Sequence, residues 1–159
     1  MKLPVLAVAT ILFCWVIPVS GFAQAPKPTD KQISAIRACA DKYKENLDKV
    51  EQQCLFKLVG EPCISKVRSD HDMADCYSTE TAIWDSLLNE NFKKLVATLD
   101  DDQTEKARAM QRAWIAYRDT TCNFYWDKIQ GTMANPMISA CTARETARRA
   151  VLLALFTTL

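Results

Sequence analysis

The sequence predicts an all-α protein, a small antiparallel bundle of three to five helices stapled by three disulfides. Apolar residues recur every three to four positions over most of the chain, which is the period of an amphipathic helix. Glycine is scarce, with 3 residues among 159, and this disfavours a turn-rich β-sandwich. Six of the seven cysteines lie beyond residue 23, and an even number suits disulfide pairing in an exported protein.

The first 23 residues are typical of a secretory signal peptide. Lys2 supplies a positive start, and an uncharged apolar run extends from Val5 to Ile17. Small residues then lead to Ala23, so we expect the mature chain to begin at Gln24. An uncleaved anchor is the alternative, because the apolar segment approaches the ~20 residues that a membrane span needs. The flanking prolines favour cleavage, and hence a periplasmic or secreted protein without stable membrane insertion.

An oxidising compartment favours disulfides between the remaining cysteines. These are Cys39, Cys54, Cys63, Cys76, Cys122 and Cys141. The alternative is a zinc site, but structural zinc sites use close Cys and His spacings. The cysteines here are far apart, and His71 is the one histidine of the chain. We therefore expect no metal and no cofactor.

Two parts of one compact domain follow the signal: a helical, cysteine-containing extension over residues 24–62 and a helical core over residues 63–159. Thr29 or Asp30 can cap the first helix. That helix either continues to about Leu58 or breaks near Asn46 into a hairpin. A second helix is expected after Asp70 or Asp72, a third from about Gln103 to Gln130, and a fourth with Asn135 as its cap.

The best-supported disulfide joins Cys122 to Cys141. The two cysteines lie ~13 and ~9 Å from the turn between the third and fourth helices, at ~1.5 Å per helical residue, so a hairpin sets them level. Cys63–Cys76 would tie a polar loop to the second helix. Cys39–Cys54 needs the break near Asn46, since fifteen residues of unbroken helix would separate them by ~22 Å. Without the break, Cys39 must take another partner and the first two pairs change.

Polar residues on three helices are expected to form one buried network: Asp85, Asn89, Gln111, Arg118, Thr146 and Arg149. A buried charge must be paired to be tolerated, so Asp85 should pair with Arg118 or Arg149. The core aromatic residues are expected to be Trp84, Trp114 and Tyr117. The alternative interpretation is a ligand-binding cleft lined by the same groups.

No residue set predicts catalysis. Glu80 with Asp85 could suggest the paired carboxylates of a glycosidase, but solvated helix faces explain them better. His71 lies in a polar, loop-like stretch, and oxidised cysteines leave no thiolate nucleophile. The near-balance of 20 basic and 19 acidic residues does not indicate a nucleic-acid partner. An acidic cluster, Asp100–Asp102 with Glu105, could attract a basic protein.

Several motifs occur in a fixed order. The run from Gln111 to Asp119 precedes Cys122, and Cys141 precedes Thr146 and Arg149. Upstream stand Cys76, Glu80, Trp84-Asp85 and Leu88-Asn89. In this pattern the chain resembles the lysozyme-inhibitor LprI-like N-terminal domain family of bacterial envelope proteins, over about residues 63–156.

The resemblance implies a helical, disulfide-bonded envelope protein with a protein partner. The family takes its name from members that inhibit lysozyme, so lysozyme is the partner it suggests. It carries no set of inhibitory residues onto this chain. We expect an inhibitor to insert a rigid protrusion into the enzyme, and the 131–137 loop is the candidate. The alternative function is an envelope structural or assembly partner that acts through protein contacts.

Overall fold

The computed structural model describes residues 27–159, and the expected signal peptide and its cleavage site lie outside this range. The described chain forms six helices and no strand. They are α1 (Asp30–Tyr43), α2 (Leu47–Gln53), α3 (Gly60–Ile64), α4 (Asp70–Val96), α5 (Asp101–Ile129) and α6 (Ala134–Phe156). The all-α prediction is confirmed, with α2 and α3 as two short helices beside four longer ones.

The first helix breaks where the sequence allowed it. α1 ends at Tyr43, and Asn46 takes an extended conformation before α2. The Asn46 side chain accepts a hydrogen bond of 3.0 Å from the Lys49 N–H, which is the contact of a helix N-cap. The chain therefore turns back on itself between α1 and α2.

Three disulfides hold the fold: Cys39–Cys54, Cys63–Cys76 and Cys122–Cys141. Their Cα–Cα distances are 5.7, 5.7 and 5.5 Å, within the usual range for a disulfide. All three predicted pairs are confirmed. The α1–α2 turn brings Cys39 to Cys54, and the α5–α6 hairpin brings Cys122 level with Cys141.

Two helix starts differ from the sequence expectation. α4 is capped by Ser69, whose hydroxyl accepts from the Asp72 N–H at 3.0 Å, rather than by Asp70 or Asp72. α6 begins at Ala134, so Asn135 lies inside the helix and is not its cap. The turn after Gly131 is closed by hydrogen bonds between its own backbone N–H and C=O groups. The helix therefore starts without a polar side chain as its cap.

The core lies mainly between α4 and α6, which run in the same direction. Ser78 bonds Ser139 near their starts at 3.4 Å, and Asn91 donates to the Ala150 carbonyl further along at 2.9 Å. α5, which lies between α4 and α6 in the sequence, runs back in the opposite direction and packs on α6. Although α5 has 29 residues, it buries only Ala107 and Cys122, so much of this helix faces outward.

The N-terminal helices pack on both core helices: α1 and α3 contact α4, and α2 contacts α6. Ile36 and Val50 enter the core, and charged contacts join the segment to the long helices. Arg37 binds Glu90 at 2.8 Å, and Arg148 of α6 binds Glu51 of α2. The hydrogen bond from Arg37, with a second from Lys94, lowers the pKa of Glu90 to about 2.

Candidate protein-binding surface

The predicted polar network exists only in part. Arg149 is buried, and its Nε donates to Gln111 Oε1 at 2.9 Å. The Trp114 ring lies 5.6 Å from the Arg149 guanidinium carbon and 4.9 Å from that of Arg118. The two Arg149 contacts join α5 to α6, whereas Arg118 contacts Trp114 within α5. Thr146, also buried, donates to the Thr142 carbonyl of its own helix and so takes no part in a bond between helices.

Asp85 does not pair with an arginine, and this corrects the sequence prediction. Its carboxylate is exposed and accepts from Asn89, one turn along α4, at 2.9 Å. Arg118 pairs instead with its neighbour Asp119 at 2.8 Å. Arg149 therefore has no carboxylate partner in the described chain, and its Nη2 has no hydrogen-bond partner there. Burial lowers the pKa of this guanidinium.

The core aromatics divide into three cases. Trp84 is fully buried between the long helices. Trp114 is partly buried against the core. Tyr117 is 53% exposed, so its assignment to the core was wrong. The error arises because α5 packs on α6 with a narrow face, whereas the apolar stripe of its sequence is wider than that contact.

Glu80 is the buried carboxylate that the sequence prediction missed. It accepts from the Phe56 N–H at 2.7 Å, the Gly60 N–H at 2.8 Å and Trp84 Nε1 at 3.1 Å. The side chain therefore fixes the turn before α3 and has no access to a substrate. A sequence signal existed, because Glu80 lies one turn from Cys76 and one from Trp84, on the stripe that is buried.

The remaining candidates for catalysis are dispersed. His71 is largely exposed and lies 3.6 Å from Asp75. Among residues 27–159, no group of three or more His, Cys, Asp or Glu side chains is arranged to hold a metal ion. The same residues contain no helix long and apolar enough to cross a membrane.

Exposed apolar side chains gather where α5 meets α6. We call Trp126, Ile129, Met133 and Met137 the tip surface; they are 53%, 37%, 46% and 37% exposed. The Cys122–Cys141 disulfide sets the register of the two helices. Trp126 follows Cys122 by one turn, and Met137 precedes Cys141 by one turn, so these two side chains lie level on the same side of the hairpin.

The tip surface is held in place at two points. The disulfide joins the helices below it, and Thr132 donates to Asp70 of α4 at 2.6 Å. This bond places the start of α4 at the same end of the bundle as the α5–α6 turn. Residues 68–75 and 126–137 include four acidic residues and two basic ones. The acidic residues are Asp70, Asp72, Asp75 and Asp127, and the basic ones are Arg68 and Lys128. The tip is therefore apolar with an acidic excess around it.

The acidic cluster predicted from the sequence lies at the opposite end of α5. Asp100 caps the helix by accepting from the Gln103 N–H at 2.7 Å, and Lys106 and Arg108 pair with Asp102 and Glu105. The start and end of α5 are ~42 Å apart at ~1.5 Å per residue. The cluster and the α5–α6 turn therefore lie at opposite ends of α5. The predicted 131–137 loop is only a short turn, because α6 already begins at Ala134.

These features define a small, disulfide-bonded helical protein with an apolar, fixed tip. The family model described as lysozyme inhibitor LprI matches residues 63–153. The chain belongs to this family. No curated protein and no solved structure matches it.

Proposed function

We propose that this protein binds a lysozyme outside the cytoplasm and inhibits it through the tip surface. The observation that carries the proposal is the position of the tip: in a chain of the lysozyme-inhibitor family, four large apolar side chains stand exposed on a disulfide-bonded turn. The protein acts by contact and not by catalysis.

The residue types at the tip suit a protein interface. Aromatic residues and methionine are enriched in such interfaces, and a few of them usually supply most of the binding energy. Trp126 is the largest side chain of the tip and lies level with Met137, one helical turn from the disulfide. Because the disulfide and the Asp70–Thr132 bond already hold the turn, binding loses little conformational entropy.

The charges around the tip favour a basic partner. The acidic excess of Asp70, Asp72, Asp75 and Asp127 over two nearby bases gives this end a negative potential. Such a potential accelerates encounter with a basic enzyme and weakens at high salt. We therefore assign recognition of a basic lysozyme to this end of the bundle, and not to the cluster at Asp100–Asp102.

The proposed setting is the periplasm or the extracellular medium. The signal-like residues 1–23 and the three disulfides support it. We propose that residues 24–62 form an extension of the core that starts at residue 63. The extension is joined to the core by Arg37–Glu90, Arg148–Glu51 and the hydrogen bond from the Gly60 N–H to the Glu80 carboxylate.

The test is an inhibition assay with the oxidised mature protein, residues 24–159, and a c-type lysozyme acting on bacterial cell walls. We expect inhibition at micromolar protein, weaker at high salt. If lysozyme kinetics stay unchanged at large excess of the protein, the inhibitor function is wrong. The function as an envelope assembly partner would then be tested by a pull-down from envelope extract.

A further inference from the structure

A pair of exposed aromatic residues lies on α5, apart from the tip surface. Tyr117 and Phe124 are 53% and 63% exposed. Phe124 and Trp126 are two residues apart in a helix, which places them on nearly opposite sides of it at ~100° per residue. The proposed contact with lysozyme through Trp126 therefore leaves Tyr117 and Phe124 free.

These two rings stand on one line along the helix. They are separated by seven residues, or nearly two full turns, and therefore by ~10.5 Å along the axis. Thr120 and Thr121 lie between them on the same face, and both are exposed. Because threonine is small, no bulky side chain interrupts the surface between the rings.

We propose that Tyr117 and Phe124 form a binding platform for a β-1,4-linked polysaccharide strand. The C–H face of a pyranose ring stacks on an aromatic ring, burying apolar surface without losing the hydrogen bonds of its hydroxyl groups. In an extended β-1,4-linked strand, every second sugar turns the same face to one side. The spacing of the two rings is close to the length of such a disaccharide, so each ring can stack on alternate sugars of one strand.

The polar neighbours of the rings fit a sugar better than an apolar protein surface. The hydroxyls of Thr120 and Thr121 face the sugar that lies between the two stacked ones. Asp127 and Lys128 are exposed one turn beyond Phe124 and can bind hydroxyl or amide groups of the next sugar. A protein anchor usually forms one packed apolar centre, whereas here two rings stand apart with hydroxyl groups between them.

The experiment is calorimetric titration of the oxidised mature protein with a hexamer of β-1,4-linked N-acetylglucosamine, in the absence of lysozyme. An α-1,4-linked glucose hexamer is the ligand control, because its curved strand does not present alternate sugars in line. Tyr117→Leu and Phe124→Leu remove each ring but keep an apolar side chain on the helix. We expect each to weaken binding roughly tenfold, as loss of one stacked ring does in other aromatic platforms.

Ile115→Ala is the control variant, since Ile115 is also exposed on α5 but lies on the side away from the two rings. It should bind the β-linked hexamer as the wild type does. Three results would overturn the proposal: no binding of the β-linked hexamer, equal binding of the α-linked hexamer, or leucine variants that bind normally. Sedimentation of the same samples detects the competing occupant, a second copy of the chain. A dimer dissolved by the leucine substitutions would also overturn the proposal.

Discussion

Gly60 and Glu80 are in such close contact that no side chain fits between them. A Cβ atom at Gly60 would lie 2.9 Å from Glu80 Oε2 and 3.3 Å from Phe56 Cδ1. The Glu80 carboxylate cannot move away without losing its bonds to the Phe56 and Gly60 N–H groups. We expect Gly60→Ala to lower the free energy of unfolding by about 1–3 kcal/mol, the usual cost of overpacking a filled site.

Urea unfolding followed by circular dichroism measures this loss, and Gly131→Ala is the matched control. At Gly131 the nearest atom to an added Cβ is 3.9 Å away, and neither glycine has a positive φ. The control should change stability little. Equal stability of the two variants would show that the turn before α3 adapts to a side chain.

Glu80 also gives the protein a defined pH dependence. Burial raises the pKa of this carboxyl, although its three hydrogen bonds oppose the shift. A raised folded-state pKa means that the folded state binds the proton first. Its contribution to stability is then fully present below the unfolded pKa, about 4.3, and is lost as pH rises through the folded value.

Glu80→Gln tests this sign. The amide has the shape of the protonated carboxyl but does not titrate, so the variant is the reference for the pH dependence of the wild type. On acidification toward pH ~4.3, the wild type should gain stability relative to the variant. Unfolding curves at a series of pH values give the free energy of unfolding of both proteins. A wild type that loses stability relative to the variant on acidification would mean that the hydrogen bonds outweigh burial.

Arg149 is predicted to contribute little to stability in spite of its burial. Among residues 27–159 it has one hydrogen bond, to Gln111, one ring contact, to Trp114, and an Nη2 without a hydrogen-bond partner. Replacing buried charge by an apolar side chain of similar volume is often neutral or stabilising. We expect the free energy of unfolding of Arg149→Met, with or without Gln111→Leu, to be within about 1 kcal/mol of the wild-type value or higher than it. Thermal unfolding checks this, and a loss above about 3 kcal/mol would indicate a charged partner.

The helices and disulfides could be predicted because local signals determine them. The Asn46 break has a side-chain cap, and the Cys122–Cys141 register follows from the lengths of two helices about one turn. The Cys39–Cys54 pair follows from the break at Asn46, because this break brings the two cysteines together. Each of these features depends on residues close together in the sequence or on simple helix geometry.

The side-chain partners could not be predicted in the same way. Asp85 and Asn89 lie on one turn of α4, but whether they face a neighbouring helix depends on the angle between α4 and α6. Tyr117 lies in an apolar stripe of α5, yet α6 covers too little of that stripe to bury it. Glu80 was visible on the buried stripe, but its partners are backbone N–H groups of Phe56 and Gly60, which carry no side-chain signal.

The tip surface determines the most specific functional prediction. Trp126→Ala and Met133→Lys should each weaken lysozyme inhibition at least about tenfold, because a large aromatic side chain is lost or a positive charge that repels a basic partner is placed at the contact. Both side chains are exposed, so neither change should affect folding. Leu152, exposed on α6 and more than two turns from Cys141, supplies the control Leu152→Ala.

The decisive measurement is the inhibition constant of the oxidised mature protein and of Trp126→Ala against one c-type lysozyme, with circular dichroism of both. We predict micromolar or tighter inhibition by the wild type, and a loss of about tenfold or more in the variant at unchanged helix content. A wild type that inhibits, with a folded Trp126→Ala variant that inhibits equally well, would contradict the assignment of inhibition to the tip surface.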